Sequence, residues 1–331
     1  MVPSNTMLAI GCREFGGPEQ AVVLERPMPK IGPRQILVEV AFATLNPADL
    51  SLRAGQSRVV TGPPPYVGGL EFAGSVSAAG PDSIWSPGDR VAGFTSFIPP
   101  AIGAHSQFVA IGDNSAARVP DNMSLEDAAV IPMSGLTAQL AVDRAVLLSG
   151  GSEVPTTVAI SGAGGAVGAF AVELAVEAGL RVVAVVRESY VDRARAMGAT
   201  DVVIGGIDAV RQIWELVPGG VDALIDGTGI GAAPFDAIRD GGALITLRPL
   251  DHEFRRSITV QNISVREYGS ERGKLHRLIQ LAANGQLTPR VSNKFSPYEA
   301  AKAHRLMEAG SVGGRIVFDF TQLRSAIPNR L

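Results

Sequence analysis

Seven consecutive residues, Gly162-Ala163-Gly164-Gly165-Ala166-Val167-Gly168, carry the clearest chemistry in this chain. Glycines at a turn let the backbone come close to a ligand. A helix opening behind them presents unpaired N–H groups and the positive end of its dipole to an anion. The spacing is Gly162-x-x-Gly165-x-x-Gly168 rather than the common G-x-G-x-x-G, because position 167 is valine. Such a turn also serves plain tight packing, so its surroundings must decide.

Those surroundings point to a ligand. The run Thr157–Ile160 is apolar and rich in β-branched residues, as a buried strand is. After the turn, Phe170, Val172, Leu174, Ala175 and Ala178 are spaced as the buried face of a helix, and Gly179 is placed to stop that helix. Leu180–Val186 supplies a second strand. The glycines therefore sit where a strand hands over to a helix, which predicts a pyrophosphate on the helix N-terminus. From about Ser124 to Val265 helical and strand patterns alternate, with further strands at Asp201–Ile204, Ala223–Asp226 and Ala243–Leu247. This alternation predicts a doubly wound parallel sheet.

The flanking regions differ. Residues 1–134 show a strand at Ile36–Ala41 and then closely spaced turn residues, including Pro47, Gly55, Pro63-Pro64-Pro65, Gly68-Gly69 and Pro87-Gly88-Asp89-Arg90, the last feeding a strand Val91–Phe94. That punctuation predicts a compact β-barrel-like domain. Ser124, three residues before Asp127, marks a helix start. Near the C-terminus, helices are expected at Lys274–Asn284 and Pro297–Ala309, with a closing strand Arg315–Phe320.

Composition bounds the function. The 331 residues are 46% hydrophobic and 18% charged with a net charge of −3, which suits a large core. The absence of a basic block argues against a nucleic-acid partner. The longest apolar stretch, Val158–Val172, is glycine-rich and shorter than the ~20 residues a membrane span needs. The N-terminal residues lack a secretion signal, and one cysteine, Cys12, allows no internal disulfide, so a cytoplasmic location is expected. Cys12 reads as a small packed residue.

Several blocks together resemble the medium-chain dehydrogenase/reductase superfamily, in its zinc-independent quinone oxidoreductase branch. They are Leu45-Asn46-Pro47-Ala48-Asp49 with Arg53-Ala54-Gly55, Gly69-Leu70-Glu71-Phe72-Ala73-Gly74, Pro87–Val91, Ala128–Pro132 with Leu136-Thr137-Ala138, the glycine turn, Met197-Gly198-Ala199-Thr200, Glu299–Leu306 and Gly314–Val317. They span nearly the whole chain in order. The resemblance implies an α/β chain with a GroES-like catalytic β-barrel domain, residues 1–134 and 266–331, and a Rossmann nucleotide-binding domain, 135–265, inserted between. It further implies an active site in the cleft and a homodimer formed through the nucleotide domain.

Zinc is not expected. A catalytic zinc needs about three Cys, His, Asp or Glu ligands and a structural one needs four. Zinc-bearing relatives carry a cysteine near Asn46 and a histidine where this chain has Leu70, leaving Glu71 without partners. His105, His252, His276 and His304 show no ligand spacing, and the cysteine-rich loop is missing.

Without a Lewis acid, the chemistry should suit acceptors that are already electrophilic, namely quinones and conjugated enones. Asn46 is the first candidate to hold the resulting anion, since the matching family position lies beside the nicotinamide. Its other reading is a cap on the turn before Pro47. Tyr66 is the second candidate donor, or else a loop anchor. Counting back from Gly198-Ala199-Thr200 sets Val185 at the end of the second strand, followed by Arg187, Ser189 and Tyr190. Arginine there suits a 2′-phosphate and hence NADPH. Glu188, about 20 residues after Gly168, could instead bind the ribose hydroxyls of NADH. Arg193 reads as a solvated charge. Thr137, Thr228, Gly229 and Leu247 complete the expected cofactor lining, with Gly162, Ala163, Gly164, Gly165, Ala166, Val167 and Gly168. The expected function is NADPH-dependent reduction of small quinones or α,β-unsaturated carbonyl compounds. A nucleotide-binding protein without turnover and a pathway-specific enoyl reductase remain as alternatives.

Overall fold

A computed structural model of the chain describes residues 6–57, 60, 64–96, 102–149, 156–227, 234–247, 256–310 and 312–326. It divides into two compact units, Met1–Met133 with Gly269–Gly285 and Pro289–Leu331, and Ser134–Tyr268 with Gln286–Thr288. The first unit begins with β1 (Thr6–Cys12), β2 (Val22–Pro27) and β3 (Gln35–Leu45). Helix α1 (Pro47–Arg53), β4 (Tyr66–Val67), β5 (Glu71–Ala79), β6 (Arg90–Phe94), β7 (Phe108–Gly112) and β8 (Ala116–Arg118) follow. The short α2 (Leu125–Ala128) and the long α3 (Pro132–Leu148) lead into the second unit.

Ser124 does cap α2, its hydroxyl accepting the Asp127 N–H at 3.0 Å, but that helix lasts only four residues. Pro132 disfavours helical geometry in the residue before it and itself opens α3, so one expected start becomes two helices. Strand β3 runs four residues past the expected Ala41 to Leu45, because Phe42–Leu45 pairs with the C-terminal strand up to the cap at Asn46.

The second unit holds β9 (Thr157–Ser161), α4 (Ala166–Glu177), β10 (Arg181–Val186), α5 (Val191–Ala196), β11 (Asp201–Ile204), α6 (Ala209–Leu216), β12 (Val221–Asp226), β13 (Ile238–Thr246) and β14 (Thr259–Asn262). Its six strands are parallel in the order β11-β10-β9-β12-β13-β14. This is the doubly wound order in which successive strands step outward from β9 in one direction and then the other. Ligands bind such sheets at the carboxyl ends of the strands where the order reverses, which is the end of β9. Val183, Ile213, Leu224 and Leu244 are among the buried residues of its core.

The chain then returns to the first unit with α7 (Arg272–Ala283), β15 (Val291–Phe295), α8 (Ala300–Ala309) and β16 (Arg315–Asp319). The expected helix at Pro297 opens with a turn of 3-10 helix before α8. Strand β16 pairs antiparallel with β3, so the C-terminal segment completes a seven-stranded sheet begun by the N-terminal one. Ile36, Val38, Phe72, Val91 and Phe318 lie in its core.

Candidate functional site

In the second unit, the turn after β9 has a different requirement at each glycine. Gly162 sits at φ +66°, a conformation that L side chains rarely adopt. A Cβ on Gly168 would come within 2.2 Å of the Gly162 carbonyl oxygen, so this glycine lets helix and turn pack. A Cβ on Gly164 would meet the Tyr190 ring at 2.8 Å. Gly165 is exposed and caps α4, and a Cβ on it would meet only the Gly162 oxygen, at 3.2 Å. The first i→i−4 bond of α4 runs from the Ala169 N–H to the Gly165 oxygen at 3.0 Å. The amides of Ala166, Val167 and Gly168 precede that ladder and are the donors a helix N-terminus turns toward an anion. Ala163 is buried, and its N–H donates to the Val185 oxygen at 3.2 Å, fixing the turn against β10.

Beside the turn, Arg187, Glu188 and Ser189 are exposed at the end of β10, and Tyr190 is half-buried. The Arg193 guanidinium lies 5.6 Å from the Tyr190 ring centre, giving it an aromatic partner rather than the purely solvated position expected. Ser161 donates to Asp226 at 2.6 Å and accepts the Gly227 N–H at 3.0 Å, which ties the ends of β9 and β12 together. Thr137 is half-buried on α3, and Leu247 is half-buried one residue past β13. Thr228 and Gly229 lie outside the described residues.

In the first unit the structure gathers three buried polar side chains that are far apart in sequence. Asn46 and Glu71 are 0% exposed and Arg315 is 8% exposed. Arg315 Nη2 donates to Asn46 Oδ1 at 2.7 Å and to Glu71 Oε1. Asn46 Nδ2 donates to the Thr44 oxygen at 3.2 Å and to Glu71 Oε1 at 3.3 Å. Glu71 Oε2 accepts the Met133 N–H at 2.8 Å. Burial pushes the Glu71 carboxyl above the usual carboxylate range; the Arg315 guanidinium, the Met133 amide and Asn46 pull the other way. Asp49 fixes the surrounding backbone, accepting the N–H groups of Asn46 at 2.8 Å and Gly69 at 2.7 Å.

This arrangement revises the expectation of Asn46 as a ready donor. Both hydrogens of its amide are engaged inside the cluster, so holding a substrate anion requires the longer bond to Glu71 to yield. Tyr66 forms part of β4, pairs with Cys12, and stacks its ring on Phe15 at a centroid distance of 6.0 Å. It lines a small cavity whose lining includes none of Asn46, Glu71 and Arg315. The Arg315 partnership was missed from sequence. Arg315 stands 244 residues from Glu71 and 269 from Asn46, and no local pattern signals it.

The donor set does not fit a zinc ion. Among the described residues no group of three or more His, Cys, Asp or Glu could hold a metal. Glu71, the one acid at the matching position, is committed to a guanidinium, which would have to leave first.

Two histidines are buried in the same unit. His105 Nε2 lies 3.0 Å from the Thr44 oxygen, and burial pushes His304 down to about 3, with His105 and Arg53 adding to the shift. A histidine that stays neutral when folded but takes a proton near pH 6.5 when unfolded lowers stability as pH falls through 6.5 toward about 3. Urea midpoints should therefore fall between neutral and mildly acidic pH. In His304→Asn the slope of that fall should shrink; an unchanged slope would assign it elsewhere.

Residues 32–146 match the family model of the alcohol dehydrogenase GroES-like domain, and residues 197–318 match that of the zinc-binding dehydrogenases. A probable quinone oxidoreductase of Schizosaccharomyces pombe is 26% identical over 320 residues, covering 91% of this chain and 94% of the relative. A 2-methylene-furan-3-one reductase of Solanum lycopersicum is 26% identical, covering 88% of this chain and 73% of the relative. The solved quinone oxidoreductase of Coxiella burnetii superposes with a TM-score of 0.82 at 25% identity, covering 95% of this chain and 99% of that one.

Proposed function

Since the chain belongs to the medium-chain dehydrogenase/reductase superfamily, in its quinone oxidoreductase-like branch, and is a nicotinamide-dependent oxidoreductase, we propose that it reduces quinones or α,β-unsaturated carbonyl compounds with NADPH and without zinc. The observation that carries the cofactor half is the turn Gly162–Gly168 at the switch point of the parallel sheet, with exposed Gly165 and the leading amides of α4. When bound, the reduced nicotinamide supplies a hydride.

The chain's own residues would do the rest. The amides of Ala166, Val167 and Gly168 bind the pyrophosphate. Arg187, with Ser189 and Tyr190, takes the 2′-phosphate, while Glu188 leans the other way, toward NADH. Asn46 Nδ2, once its bond to Glu71 yields, holds the oxyanion that forms on a reduced enone or quinone. The Glu71–Arg315 pair keeps that amide in place and supports the metal-free reading, since a guanidinium already neutralises the acid. The cytoplasm and a homodimer are part of this proposal.

NADPH absorbance should fall when a panel of quinones and enones is added to the protein. Binding of NADPH with no oxidation above background for any acceptor would favour a nucleotide-binding protein without turnover. The commitment of both Asn46 amide hydrogens within the cluster favours that second reading. Dialysis against a chelator should leave the rate within about twofold. A large loss of rate restored by added zinc would overturn the metal-free part.

A further inference from the structure

Within the first unit, and apart from the residues assigned above to the reaction, lies a cavity of about 20 Å³ lined in part by Cys12, Asp49, Arg53, His105 and His304. Arg53 is 6% exposed and His304 4% exposed. Arg53 Nη2 reaches Glu308 at 2.5 Å, yet Arg53 Nε and Nη1 and His304 Nδ1 have no hydrogen-bond partner among the described residues. Two other polar groups of the lining are engaged. His105 Nε2 lies on the Thr44 oxygen, and Asp49 accepts two backbone N–H groups. Buried polar atoms without partners are costly and scarce, so three of them on two residues that line one cavity call for an occupant.

Size and charge select that occupant. A cavity of about 20 Å³ has room for one water molecule. The Arg53 charge is already paired with Glu308, so no further anion is needed to balance it. The three atoms are two donors on arginine and one imidazole nitrogen that accepts or donates according to the tautomer. We propose that this cavity is a site for a single water molecule, which accepts from Arg53 and hydrogen-bonds His304 Nδ1. The water then joins α1, which opens on Asn46, to α8, which carries His304 and Glu308. With the Arg53–Glu308 pair it forms a clasp between the N-terminal and C-terminal segments of the unit.

High-resolution crystals of the full chain test this, one soaked in sodium bromide and one pressurised with xenon. A single ordered peak within hydrogen-bond distance of Arg53 and of His304 Nδ1, with no anomalous signal in either crystal, is the expected result. A bromide peak in the cavity would make it an anion site and overturn the proposal. Xenon there, or no density at all, would make it a dry cavity and overturn it equally.

Discussion

Replacing Arg315 with methionine should lower the unfolding free energy by about 3–5 kcal/mol, because it leaves Glu71 as an uncompensated charge in the core. Glu71 is fully buried and Arg315 nearly so, and Asn46 loses the same guanidinium from its oxygen. Burial already raises the Glu71 carboxyl, so in the variant it should take up a proton, and the loss should shrink as pH falls. A second variant separates charge from packing. In Glu71→Gln with Arg315→Met the buried charge is gone, and most of the lost stability should return, since replacing both members of a buried pair costs far less than removing one. Denaturant unfolding of the three proteins measures this. A loss below about 1 kcal/mol in the single variant would mean that the pair is hydrated and does not anchor Asn46.

Arg187→Ala should weaken NADPH binding by roughly 10–100-fold while changing NADH binding by less than about threefold, since one charge-assisted hydrogen bond to a phosphate is worth about 1.5–3 kcal/mol. The side chain stands at the end of β10, beside the glycine turn whose Gly164 packs on Tyr190. Glu188 makes the experiment informative in both directions. If NADH binding suffers as much as NADPH binding, Arg187 is not reading the 2′-phosphate. If NADH binds the unaltered protein more tightly, Glu188 reads the ribose.

What was legible in the sequence follows from how local each signal is. Strand β9, the glycine turn, α4 and β10 are contiguous, with a helical period between two apolar runs, and the structure reproduces them almost residue for residue. Ser124 was legible as a cap because capping acts over three residues; the early end of α2 depends on Pro132, which lies beyond that local window. The Asn46–Glu71–Arg315 cluster was not legible. Each member looks ordinary in its own stretch, and they meet only because β16 returns to pair with β3. Asn46 was found through family likeness, but the engagement of its amide hydrogens was visible only once the fold was known. Tyr66 shows the same limit, since its ring meets Phe15 from a distant part of the chain.

The most direct test of the central claim is a crystal structure of the chain with NADPH. The pyrophosphate should lie against the amides at the start of α4, within the bend Gly162–Gly168, with the 2′-phosphate at Arg187. An ordered dinucleotide bound elsewhere, or that bend left unoccupied at saturating NADPH, would contradict the account.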